Sequence, residues 1–135
     1  MRSILDTSVL IDNPSIETGS RAAISTISLA ELYFGALVAN DPDERARRTT
    51  QLGFIESHFD ALPLDEWVGR ALGQLQAAVS SRGANPRSRT ADLVIAATAI
   101  VHEATLFTRN YKDFKIVFCE QRRLKPFDSA SSVAG

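Results

Sequence analysis

Short apolar, β-rich runs alternate with helical segments along almost the whole chain, and this alternation restricts the fold more than any other feature. The runs are Ser3-Ile4-Leu5, Ala22 to Ile27, Ala61-Leu62-Pro63-Leu64, Thr105 to Thr108 and Ile116 to Cys119. Between them stand helix signals. A short helix from Ser8 to Ile11 is stopped by Asn13-Pro14, and Ser28-Leu29-Ala30-Glu31 matches a capping box that opens a second. Leu29, Leu32, Tyr33, Ala36 and Leu37 give that second helix one buried stripe. Asp41-Pro42-Asp43-Glu44 opens a third, with Glu44 placed to pair with Arg47 or Arg48. Asp65 caps a long fourth, striped by Val68, Ala71, Leu72, Leu75 and Val79 and ended by Gly83. Strand–helix–strand crossovers are right-handed, so the pattern predicts a three-layer α/β/α sandwich: a central parallel sheet with helices on both faces. Pro63 cannot donate to a ladder and marks its strand as a sheet edge.

The chain of 135 residues reads as one domain, residues 1–128, followed by a small, polar tail at 129–135 that is expected to be disordered. Hydrophobic residues at 44% and charged residues at 23% exclude disorder for most of the length. Cys119 is the single cysteine, without a partner for an internal disulfide or a second thiol for zinc, so a reducing, cytoplasmic setting is expected. No basic start precedes a long apolar stretch, and no run approaches the roughly 18 apolar residues of a membrane span; a soluble, unexported protein is expected. The net charge of −1 hides an asymmetry. Residues 1–81 carry 6 Lys/Arg against 11 Asp/Glu, and residues 82–135 carry 9 against 5. That imbalance permits a polyanion on one face.

Four acids sit where such a fold binds its ligands, beyond the carboxyl ends of parallel strands. Asp6 ends the first strand, Glu31 follows the second, Asp113 follows Thr105–Thr108, and Asp92 starts the helix Thr90–Glu103 from the same edge. From Leu93 to Val101 that helix carries no charge, so it is buried nearly all round with Asp92 at its mouth. Each acid has a plainer role open to it: Asp6 as a cap, Glu31 completing the box with Ser28, Asp92 on a helix dipole, Asp113 in a cap with Asn110. Crowding combined with burial favours another. Two carboxylates about 5 Å apart repel by roughly 3 kcal/mol at an effective dielectric near 20; no cap offsets that, and a divalent cation does. Hard oxygen donors suit Mg²⁺, or Mn²⁺, better than zinc. A cation so held polarises a phosphoryl oxygen and activates water for phosphodiester cleavage. His58 and His102, both in helical segments, read as core or surface residues rather than as an acid–base pair.

The residues around these acids carry a resemblance. Ile4-Leu5-Asp6-Thr7-Ser8-Val9-Leu10-Ile11-Asp12, Ile27-Ser28-Leu29-Ala30-Glu31-Leu32, Ala91-Asp92-Leu93-Val94-Ile95-Ala96-Ala97 and Thr108-Arg109-Asn110-Tyr111-Lys112-Asp113-Phe114 resemble, in order, the four signatures of the PIN-domain nucleases. The nearest likeness is to the VapC toxins of bacterial toxin–antitoxin pairs, and it extends to Phe118. It implies the α/β/α fold, Mg²⁺-dependent endoribonuclease activity on RNA, a homodimer, and a cognate VapB-type antitoxin that occludes the site. Carried over, Asp6, Glu31, Asp92 and Asp113 would be the catalytic, metal-binding acids, and Thr7, Ser8, Thr108 and Asn110 would orient them. Arg87, Arg89, Arg109 and Lys112 flank the acids and are candidates for phosphate contacts with RNA.

Two other readings stand beside this one. An Asp after a first strand also begins the haloacid-dehalogenase-like phosphatases, which need a second Asp two residues on; this chain has Ser8 there. The chain could also be a module that binds RNA or a protein without cutting, against which the presence of all four acids argues. Asp12 reads as a turn residue. Gly35, one turn after Glu31, either admits a close neighbour or simply packs.

Overall fold

Ile4 and Leu5 point to opposite faces of one strand, and each belongs to a separate core. Ile4 packs with Ile95, Ala96, Ala99, Leu106 and Phe114. Leu5 packs with Val9, Leu10, Ile24, Ile55, Phe59 and Phe107. A strand buried on both faces in this way is the centre of a sheet covered by helices on each side, which is the expected three-layer arrangement. The computed structural model describes residues 2–11, 21–115 and 124–126.

Within them β1 (Arg2–Leu5) leads to α1 (Thr7–Leu10), β2 (Arg21–Ser25) to α2 (Thr26–Leu37), α3 (Pro42–His58) to β3 (Asp60–Leu62), and α4 (Glu66–Ser81) through a 3-10 turn (Pro86–Arg89) to α5 (Thr90–Val101). The chain continues as β4 (Thr105–Thr108), α6 (Tyr111–Lys115) and β5 (Leu124–Pro126). All strand pairs are parallel, in the order β3-β2-β1-β4-β5. The chain therefore moves outward from β1 in one direction and then restarts on its other side with β4. The gap between β1 and β4 is the topological switch point, where open parallel sheets hold ligands.

Several local signals act as the sequence suggests. Asp41 caps α3 and accepts from Asp43 N, Pro42 opens the helix, and Glu44 pairs with both Arg47 and Arg48. Asp65 caps α4 by accepting from Val68 N, and Gly83 takes φ +82° just past its end. Leu93 to Ala99 of α5 are all buried. β3 lies at the sheet edge as expected, but it runs Asp60–Leu62 instead of Ala61–Leu64, because Pro63, with no N–H to give, ends the ladder before it.

Three expectations need correction. α2 opens at Thr26, not Ser28: Ser25 is its N-cap, accepting from Ile27 N, because β2 stays paired with β3 up to Ser25 and the helix starts at once after it. Only part of its expected stripe is covered. Leu29, Leu32 and Ala36 face inward, whereas Tyr33 and Leu37 are exposed, together with Phe34 and Val38. The last described strand is Leu124–Pro126, which the sequence pattern did not single out, since it has one apolar residue and a proline that an edge strand tolerates. The strand expected at Ile116–Cys119, Asp12, the stretch Asn13–Gly19 and the tail at 129–135 lie outside the described residues.

Candidate active site

The site grows from the end of β1. Asp6 N donates to Phe107 O at 3.0 Å, which continues the β1–β4 ladder by one residue and fixes the Asp6 backbone across the switch point. Asp6 occupies the N-cap position of α1, yet its side chain caps nothing. Instead its carboxylate, 3% exposed, accepts from Ser8 Oγ and Thr108 Oγ1, both at 2.7 Å on Oδ2. The two hydroxyls are themselves held: Ser8 Oγ accepts from Arg109 N at 3.1 Å and Thr108 Oγ1 from Asn110 N at 2.9 Å. Each hydroxyl thus takes a backbone proton and gives its own to Asp6, so its direction is dictated by the fold.

Glu31 is the sixth residue of α2, too deep to complete a capping box. Its Oε1 accepts from Thr7 Oγ1 at 2.8 Å, and Thr7 Oγ1 also lies 2.9 Å from the fully buried Ser28 Oγ. Sequence reasoning missed Ser28 as part of the site because the hydroxyl three residues before Glu31 matched a cap, a task that Ser25 performs. Asp92 lies in the first turn of α5, where a helix dipole would lower its pKa. It is instead pushed up from 3.8 to about 6, by burial first, then by Asp6, Asp113 and Glu31, with Arg89 acting in the opposite sense. Burial and like charge thus act on Asp92 against the dipole, and Asp6, Asp113 and Glu31 all act on it together.

Asp113, on the exposed side of α6, is joined to Asn110 through backbone only: its N–H donates to Asn110 O at 2.9 Å. Arg89 Nη1 donates to the Asp113 carbonyl at 2.9 Å, tying the 3-10 turn to α6 and putting a positive charge beside the cluster. Of the other basic candidates Arg87 and Lys112 are exposed and Arg109 is half-buried.

All the donors at this edge are hard oxygens, a set that fits Mg²⁺ or Mn²⁺ and not a soft metal. The acids converge without closing into one coordination sphere: among the described residues no three His, Cys, Asp or Glu side chains stand close enough together to hold one ion. Glu31 is exposed but held by Thr7, Asp113 is exposed, and Asp6 is buried and fixed by two hydroxyls. Mutual repulsion opposes such closure in a cluster without a cation, as the raised Asp92 pKa reflects.

A doubly wound parallel domain whose acids lie along the edge at its topological switch point is the class of fold that holds its ligand there. The chain belongs to the PIN domain family, whose model matches residues 3–117. It is 32% identical over 115 residues to Ribonuclease VapC4 of Mycobacterium tuberculosis, covering 81% of this chain and 86% of that one. Over 129 residues it is 33% identical to Ribonuclease VapC1 of Rickettsia felis, with 85% and 90% covered. Among solved structures it is similar to a member of the VapBC family of toxin–antitoxin systems, VapBC-5 from M. tuberculosis, at a TM-score of 0.76 and 29% identity over 93% of this chain and 97% of that one. PIN-domain ribonucleases of this kind depend on metal in general. The phosphatase reading falls with the family, and Ser8, which that chemistry would replace by an acid, is occupied in holding Asp6.

Proposed function

We propose that this protein is a metal-dependent endoribonuclease and the toxin of a toxin–antitoxin pair. The observation that carries the reading is the layout of the acids: Asp6 is buried and locked by Ser8 and Thr108 at the end of β1, Glu31 is held by Thr7, and Asp92 opens the buried helix α5 beside them, where burial and the other acids raise its pKa. That arrangement disfavours the bare protein and is relieved by a divalent cation. The reading is supported by relatives named ribonucleases and by a fold shared with toxin–antitoxin complexes.

Asp6, Glu31, Asp92 and Asp113 would hold Mg²⁺, with Mn²⁺ as a fitting substitute. When bound, the ion supplies Lewis-acid polarisation of a phosphoryl oxygen and a lowered pKa for water at neutral pH. The residues of the chain supply the geometry. Ser8 and Thr108 lock Asp6 by its Oδ2, Thr7 holds Glu31, and the Asn110 backbone N–H keeps Thr108 turned toward Asp6. On this reading Arg87, Arg109 and Lys112 meet RNA phosphates, while Arg89 moderates the acids from one side. A VapB-type antitoxin and a second copy of this chain are the partners on this reading, and the cytoplasm is its place of action. Large apolar side chains left exposed, among them Phe34 at 68%, Leu37 at 70% and Trp67 at 62%, are surface of the kind that assembly covers. Among the described residues no helix is long and apolar enough to cross a membrane.

The test is RNA cleavage by the purified protein. Wild type with Mg²⁺ is expected to cut, and wild type in EDTA or carrying Asp6→Asn is expected to be inactive while folded. Undiminished cleavage in either case overturns the reading. A small neighbouring reading frame should encode a protein that copurifies with the chain and inhibits it.

A further inference from the structure

We propose that Ser28 is a positioning residue for the cation: acting through Thr7, it keeps the Glu31 carboxylate aimed at the acid cluster. The inference rests on the reading of the four acids as cation ligands. Ser28 is fully buried in the first turn of α2, and its Oγ lies 2.9 Å from Thr7 Oγ1, which lies 2.8 Å from Glu31 Oε1. A threonine hydroxyl has one proton to give and two lone pairs with which to accept. An ionised carboxylate has no proton, so Thr7 must donate to Glu31, and the charge-assisted bond takes that proton in preference to a neutral one. The contact with Ser28 then runs the other way: Ser28 donates and Thr7 accepts.

The Ser28 proton therefore fills the lone pair of Thr7 and fixes the rotation of its hydroxyl, leaving the Thr7 proton committed to Glu31. Glu31 is exposed, so its own burial does little to fix its rotamer. A buried serine on a helix commonly bonds a carbonyl one turn back; Ser28 reaches instead across 21 residues to α1. The cap of α2 is made by Ser25, so helix initiation does not account for Ser28.

The experiment measures Mn²⁺ affinity of the full-length protein by calorimetry, without RNA, alongside a thermal melt in EDTA. Ser28→Ala is expected to weaken Mn²⁺ binding by about three- to tenfold, just below the roughly ten- to hundredfold cost of removing a partner bonded directly to a ligand, because Ser28 acts one hydroxyl further out. Ser28→Thr, which keeps the hydroxyl, is expected to restore most of the affinity. In a Thr7→Val background Ser28→Ala should change nothing more, because its route to Glu31 is already cut. Should Ser28→Ala not fold, Ser28→Cys, with similar volume and a weak donor, is expected to give the same loss. Unchanged affinity in the folded Ser28 variant, or losses from Ser28→Ala and Thr7→Val that multiply independently, would overturn the proposal. The underlying reading fails separately if Glu31→Gln binds Mn²⁺ as the wild type does.

Discussion

Replacing Asp92 by Asn should stabilise the metal-free protein at neutral pH, although it removes an acid from the first turn of a helix. Burial and the charges of Asp6, Asp113 and Glu31 raise the Asp92 pKa from 3.8 to about 6. A carboxyl whose pKa is higher folded than unfolded weakens the fold when ionised. The penalty is complete above about pH 6 and vanishes below about pH 4, where the group is protonated in both states. At about 1.4 kcal/mol per pH unit the full shift is worth about 3 kcal/mol. Asp92 retains partial contact with solvent, and screening reduces this to about 1–2 kcal/mol. Loss of the dipole interaction returns about 0.3–1 kcal/mol. A net gain of roughly 1 kcal/mol remains, or about 3–5 °C in Tm for a domain of this size. Urea titrations in EDTA at pH 7.5 and pH 4 measure it: Asp92→Asn should be the more stable at the higher pH, and the advantage should disappear at the lower. Saturating Mn²⁺ should reverse the order, since the wild type alone keeps the full ligand set. If Asp92→Asn is clearly less stable in EDTA at pH 7.5, Asp92 acts chiefly on the helix dipole and the argument from crowded carboxylates is refuted.

Thr108→Val removes one of two donors to Asp6 Oδ2 and the acceptor of Asn110 N; a stability loss of about 1–3 kcal/mol in urea, with reduced cleavage by the protein that remains folded, is expected. Arg89→Ala removes the one influence on Asp92 that lowers its pKa, so the acid limb of the cleavage–pH profile should move to higher pH, while Arg89→Lys should hold it near the wild-type position. Arg87→Ala should weaken RNA binding alike across sequences and reduce the slope of log affinity against log salt by about one, readable by filter binding over a salt series.

The fold was legible because its signals are local and repeated. Ile4-Leu5 announces a strand buried on both faces, and the uncharged run of α5 announces a helix with no solvent side; each finds its core as expected. The four acids could be placed on one edge by topology alone. Their side chains could not. Asp6 and Ser28 were both readable as caps, and what decides between a cap and a site is where a hydroxyl points, which depends on residues about a hundred positions away in the case of Thr108 and about twenty in the case of Thr7. The start of α2 was misplaced for a similar reason. Ser28, with Glu31 three residues on, is the stronger local signal, and the pairing of β2 with β3 up to Ser25 overrides it. β5 carries too little apolar pattern to stand out.

The ladder contact from Asp6 N to Phe107 O and the bond from Thr108 to Asp6 tie the first strand to one about a hundred residues on. During synthesis the amino-terminal part of the sheet emerges long before β4, and a nascent chain shorter than that strand already contains Asp6, Glu31 and Asp92 but nothing to hold Asp6 on its β4 side. On the proposed function, competence to cut therefore waits for β4, residues 105–108. A chain ended before β4 is expected to carry three of the four acids, Asp6, Glu31 and Asp92, and to leave RNA uncut.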